Sequence, residues 1–261
     1  PHQRALLEYQ FATDETLAKV DITRHDLVWQ DLGHIGVPKR PEFGPSLPAD
    51  DVSLLQKSFY DFISSLTLDE AQTLLKPSYP GEQYSEAASH LNKMRSAIGQ
   101  RDLMDMLALV APDSVQIIQP NDILEVEDNL PPVQSLRPPA KGSLARIAYL
   151  QGLYQMLIEI IKTRPRQAAE RHPTIFLDAA LSASTFTDFQ KNDVTENDVF
   201  DFEHAIAALP YFDYFFTEGN LKERLKQVLK RTNTKDVFKC EVQARPEDVL
   251  KALELVVDKT R

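Results

Sequence analysis

Apolar positions recur at helical spacing early in the chain. Val52, Leu55, Phe59, Phe62, Ile63 and Leu66 fall on one face of "DVSLLQKSFYDFISSL", and Asp50 or Asp51 can cap that helix. "LDEAQTLLK" predicts a short second helix, stopped by "PSYPGE". "SEAASHLNKMRSAIGQ" and "RDLMDMLALV" continue the helical pattern. Ahead of them, residues 1–30 read as weak helix, and the Pro- and Gly-rich "GHIGVPKRPEFGPSLPADD" reads as loop or linker. "SVQIIQ", residues 114–119, is β-branched and bounded by "APD" and "PND", which predicts a strand. After a Pro-rich loop, "SLARIAYLQGLYQMLIEIIKTR" predicts a long helix whose wide apolar arc implies burial on more than one side. "HPTIFLDAAL" is compatible with strand or helix.

The last seventy or so residues alternate more cleanly. Asp201 opens "DFEHAIAAL" as a helix, Pro210 ends it, and "YFDYFFT" reads as a strand. "NLKERLKQVLKRT" is amphipathic, with Leu221, Leu225, Val228 and Leu229 on one face. "DVFKCEV" reads as a second strand, and "RPEDVLKALELVV" as a helix with Pro246 in its first turn. Strand and helix in alternation argue for an α/β fold, a parallel sheet with crossover helices. The pattern divides the chain into a mainly helical region, 1–110, and an α/β core, 111–261, with an inserted helix at 143–171.

Composition narrows the function classes. The 261 residues suffice for one large or two small domains, and 43% hydrophobic with 26% charged residues is ordinary for a globular protein. No apolar run is long enough to span a membrane, and no signal peptide opens the sequence. A single cysteine, Cys240, excludes an internal disulfide and fits the cytoplasm. A net charge of −10 argues against a surface that is basic all over, so nucleic acid would need a local patch. Two exist: Lys162, Arg164, Arg166 and Arg171, and Lys222, Arg224, Lys226, Lys230 and Arg231. There is no P-loop, dinucleotide fingerprint, zinc-type Cys or His spacing, or nucleophile elbow.

Candidate chemistry lies in "NDVFDFEHAIAALPYFDYFFTEGN", residues 197–220. Ligands of open parallel sheets sit beyond the carboxyl ends of the strands. Glu218 lies there, and Asp201 stands on the preceding helix. Two adjacent carboxylates repel unless a cation lies between them, and Mg²⁺ accepts such oxygen ligands. Helix capping and a turn are the simpler account of each acid taken singly.

"DFEHAIAALPYFDYFFTEGNL" resembles the third and fourth motifs of PIN-domain nucleases, over about residues 195–261. The resemblance implies a PIN-like parallel sheet flanked by helices, here with a large added helical region. It makes Asp201 the third acid, places Glu218 for the fourth, and matches Thr217 to the strand-end Thr. His204 falls one helical turn after Asp201, as a packing or hydrogen-bonding residue. The second acid would be Glu125 or Glu127 in "NDILEVEDN", with a slight preference for Glu125. The sequence departs from the family in two places. No early strand ending in Asp supplies the first acid, which would then precede Pro1, and Gly219 occupies the usual position of the last Asp.

The implied function is Mg²⁺- or Mn²⁺-dependent phosphodiester hydrolysis, on RNA rather than DNA, as in a toxin or defence effector restrained by a partner protein. Asp201, Glu218 and Glu125 or Glu127 would hold the metal, and Lys222, Lys226, Arg164 and Arg166 the phosphates. The alternative is a non-catalytic scaffold of the same fold that binds a partner protein through its added helices. A third reading takes Asp178 in "IFLDAAL" as the nucleophile of a phosphatase-like hydrolase, but no companion acid follows two residues later.

Overall fold

In the computed structural model, the residues described are 5, 8, 65, 67, 70, 81–121, 123, 124, 139, 140, 142–187 and 192–259. The chain forms two compact units, one of residues 1–21 with 83–261 and one of residues 22–82. In the smaller unit, Glu70 is helical and forms a reciprocal cap with Thr67: the Thr67 N–H donates to Oε2 at 2.9 Å and the Glu70 N–H to Oγ1 at 3.3 Å. Ser65 is helical as well, and the remainder of the predicted helix pair of residues 52–76 lies outside the described residues.

The described elements are mostly helical. In chain order they are α1 (Gly81–Ile98), α2 (Leu103–Val115), α3 (Leu144–Thr163), α4 (Pro165–Arg171), α5 (Pro173–Ser184), α6 (Glu196–Ala208), β1 (Tyr214–Phe216), α7 (Gly219–Arg231), β2 (Glu241–Gln243) and α8 (Pro246–Lys259). The organising element of the larger unit is α5. It packs against α2, α4, α6 and α7, and buries residues on every side, including Ile175, Phe176, Leu177, Ala180 and Leu181. A helix enclosed all round loses its 3.6-residue amphipathic signature, which is why "HPTIFLDAAL" reads ambiguously as sequence. Alanines at 179, 180 and 183 let neighbouring helices approach closely, while Phe176 stacks on Phe238 at 6.3 Å.

The N-terminus of α5 is capped from far away in the sequence. His172 occupies the cap position without a side-chain cap bond, and Glu8 supplies the acceptor instead. Its carboxylate takes the Thr174 N–H at 2.9 Å and the Thr174 hydroxyl at 2.5 Å, and Tyr211 donates its phenol to the same group. Glu8 is itself buried, so these bonds and the positive end of the helix replace the water it has lost.

The expected PIN-like sheet does not form. Among the described residues the sheet consists of β1 and β2 alone, parallel, in the register Tyr214↔Glu241, Phe215↔Val242 and Phe216↔Gln243. The segment 114–119, expected as a strand, is the end of α2 and a following turn. Val115 and Ile118 are buried there, and the Ile117 and Ile118 amides bond three residues back, to Ser114 and Val115. Core packing has overridden β propensity. "YFDYFFT" yields three residues of strand, and "DVFKCEV" contributes only Glu241 and Val242 to β2, which ends at Gln243. Tyr211 and Phe212 stay tied to Ala208 at the end of α6, and 235–240 form turns and coil before β2.

Candidate functional site

Two of the expected acids, Asp201 on α6 and Glu218 between β1 and α7, lie near enough for their charges to interact. Thr195 caps α6 in a reciprocal box with Asp198: the Asp198 N–H donates to Oγ1 at 3.2 Å, and the carboxylate accepts the Thr195 N–H at 2.8 Å. The helix therefore starts at Glu196, and Asp201 lies within it rather than opening it. Glu218 holds the cap position of α7 without a side-chain cap bond. Thr217, just ahead, donates its N–H to the Gln243 carbonyl at 2.9 Å, closing the two-stranded ladder.

Asp201 and Glu218 interact electrostatically. Burial raises the Asp201 carboxyl above its usual range, the Glu218 charge raises it further, His204 opposes the shift, and Asp198 adds to it. His204 is exposed, its ring edge-on to Phe200 at 4.2 Å; Phe200 in turn meets Tyr84 of α1 at 5.6 Å. Glu125 and Glu127 lie outside the described residues. Among the described residues, no group of three or more His, Cys, Asp or Glu side chains could hold a metal ion.

The cations expected to bind phosphate are mostly held by neighbours. Arg166 forms a two-pronged pair with Asp236, at 2.9 and 2.6 Å, and also bonds Glu170 at 3.1 Å. Lys226 pairs with Glu223 at 3.2 Å, and Lys222 donates to Gln243 Oε1 at 3.2 Å. Arg164 is exposed at the junction of α3 and α4.

A cleft of about 290 Å³ opens between α1, α2, α5 and α6. His90, Asp113, Ser114, Asp178 and Glu203 line it among apolar side chains. Asp178 is the residue considered above as a nucleophile. It lies mid-helix on α5, not at a strand end. Burial pushes its carboxyl up to about 6, against a hydrogen bond from Ser114 and with help from Glu203 and Asp113. Glu203 also accepts the Tyr84 hydroxyl at 3.2 Å.

Other polar contacts that organise this region escape sequence reading. Asn92 of α1 bonds both backbone groups of Val194, its Nδ2 donating to the carbonyl and its Oδ1 accepting the N–H, each at 2.8 Å. Arg95 donates to the Asn192 carbonyl at 2.6 Å. Arg224 of α7 lies over the Phe202 ring at 5.2 Å and donates to Ser184 Oγ at 3.3 Å. These residues carry no motif, because what each contacts is fixed by tertiary packing.

The metal-dependent nuclease reading is overturned. The described architecture is helical with a two-stranded sheet, and the described carboxylates form no metal-holding group. With it go the assignments as hydrolase, ribonuclease and toxin. Among the described residues no helix is long and apolar enough to cross a membrane. No protein-family model, curated protein or solved structure matches the chain, so the resemblance to PIN domains rests on the quoted motifs alone.

Proposed function

We propose that this chain is a non-catalytic helical scaffold that binds a partner protein through α3, outside the β1–β2 pair. The observation that supports the reading is the outer face of that helix. The sequence pattern predicts burial on more than one side of α3, yet Leu144 is 85%, Ile147 56% and Met156 46% exposed. From Leu144 to Met156 the exposed positions are Leu, Ala, Ile, Ala, Gln, Gly, Gln and Met, with no charge among them. A helix face evolved only for water carries Glu and Lys, and an uncharged apolar face of this length marks an interaction surface.

The chemistry of the face favours a helical partner. Ala148 and Gly152 lie one turn apart, and a Cβ at Gly152 would meet nothing within 4 Å. Glycine inside a helix costs about 1 kcal/mol relative to alanine, and a close approach by a partner backbone offsets that cost. Leu144, Ile147 and Met156 would then supply the apolar contacts around the small residues.

The test uses the full chain carrying a photo-crosslinking benzoylphenylalanine at position 147, beside a variant with Leu144→Asp, Ile147→Asp and Met156→Asp. A crosslinked protein is identified, purified and titrated against both forms. The expected result is binding by the wild type and at least a tenfold loss in the triple variant with unchanged circular dichroism. Equal binding by both, or no crosslinked protein, removes α3 as the docking face.

A further inference from the structure

The sheet itself is anomalous. Parallel strands occur almost always in larger sheets covered on both faces, and an isolated two-stranded pair is marginal in water. The ladder determines which peptide groups of β1 are used. The Glu241 N–H donates to the Asp213 carbonyl at 2.8 Å and the Thr217 N–H to the Gln243 carbonyl at 2.9 Å. In the parallel pattern, the groups of residues 213, 215 and 217 therefore face β2, and the N–H and C=O of Tyr214 and Phe216 point to the opposite edge. None of these four groups bonds another backbone group among the described residues. An open row of donors and acceptors on a strand is a template for a further strand.

The side chains and charges around that edge specify what fits. Phe215 packs toward the core, while Tyr214 and Phe216 stack on the other face at 6.3 Å and 16° between rings. Phe216 is 41% exposed and Phe212, four residues earlier, 42%. Both ends of β1 are acidic. Asp213 precedes it, Glu218 follows it, and Asp201 is near enough to feel the Glu218 charge, its carboxyl raised by burial first and by that charge second. A second copy of this chain would bring the same acids against one another in antiparallel pairing, which costs free energy.

We infer that the outer edge of β1 receives an extended segment of a partner protein as a third strand, with β-branched or apolar residues flanked by Lys or Arg. Main-chain bonds to Tyr214 and Phe216 hold the segment, the aromatic pair covers its alternate side chains, and its basic ends meet Asp213 and the Asp201–Glu218 pair. This surface is separate from the face of α3, so either can fail without the other.

The probe is a synthetic peptide, Lys-Thr-Val-Thr-Val-Thr-Lys, beside its copy N-methylated at alternate residues and its copy with Glu for both Lys. Binding is read by fluorescence anisotropy, and amide exchange by NMR on the full chain. The expected result is binding by the first peptide only, with exchange at Tyr214 and Phe216 slowed at least tenfold. Phe216→Pro removes an outward N–H and leaves the ladder donors in place, so it abolishes the binding with circular dichroism unchanged. No binding, binding indifferent to N-methylation or to the proline, or protection elsewhere overturns the inference. Peptide-independent dimerisation lost in Phe216→Pro overturns it in favour of self-pairing.

Discussion

Glu8 accepts hydrogen bonds from both the backbone N–H and the hydroxyl of Thr174, so the first turn of the central helix is completed by a residue near the other end of the sequence. Glu8→Ala strands the buried N–H and hydroxyl of Thr174 and removes the acceptor of the Tyr211 phenol. The expected cost is about 2–4 kcal/mol, read as a lower urea midpoint with the slope unchanged. Glu8→Gln keeps one acceptor oxygen and recovers part of the loss.

Asn92 satisfies a backbone donor and a backbone acceptor of Val194 with one amide. Asn92→Ala is expected to destabilise by about 1–3 kcal/mol. Asn92→Asp keeps the acceptor but loses the donor, and sets a carboxylate against the Val194 carbonyl, so it should be no better. Amide exchange at Val194 should accelerate in both variants, and an unchanged rate would show that other contacts hold this segment.

Asp178 makes the protein less stable as pH rises. Its carboxyl is raised to about 6 in the folded chain from an ordinary value of 3.8. The folded form keeps a proton that the unfolded form gives up, so the contribution is full below pH 3.8 and is lost as pH climbs through about 6. Asp178→Asn should therefore stabilise the protein at pH 7.5 by on the order of 1–3 kcal/mol, read as a higher melting temperature, and change little at pH 3.5. Equal melting curves at pH 7.5 would mean that the carboxylate is already solvated through the cleft.

His172 acts with the opposite sign. Burial, assisted by Arg171, lowers its imidazole to about 4 from 6.5. Unfolded chains take up the proton first, so the stability it contributes is present above pH 6.5 and is lost as pH falls through about 4. Between pH 4 and 6 the two residues offset one another. His172→Gln should leave the Asp178 slope exposed, with stability rising as the solution is acidified over that range. A profile identical to wild type would exclude His172 as the source of the acid loss.

What the sequence disclosed depended on how one-sided each element's burial is. Leu221, Leu225, Val228 and Leu229 form a single buried stripe, and α7 is legible from them. In α5 almost every position is buried, so no stripe exists to read. Val115 and Ile118 look like strand residues because β-branched side chains suit a sheet, but they suit a helix end equally when the core lies beneath them. The electrostatic interaction of Asp201 with Glu218 was legible because only the rest of α6, a short connection and β1 separate them. The bond from Tyr84 to Glu203 spans distant parts of the chain and left no local trace. The run of exposed, uncharged positions from Leu144 to Met156 lies within a wide apolar arc visible in the sequence, but sequence alone could not distinguish burial within the chain from burial against a partner.

The enclosure of α5 also sets a problem of timing during synthesis. Its apolar residues are synthesised before α6 and α7, which cover two of its sides. About fifty further residues must be added before α7 is complete, which takes a few seconds at ordinary elongation rates. For that interval a helix with no face suited to water is partly uncovered. The nascent chain therefore depends on transient shielding, by its own earlier helices or by a chaperone, at a stage that the finished protein no longer reveals.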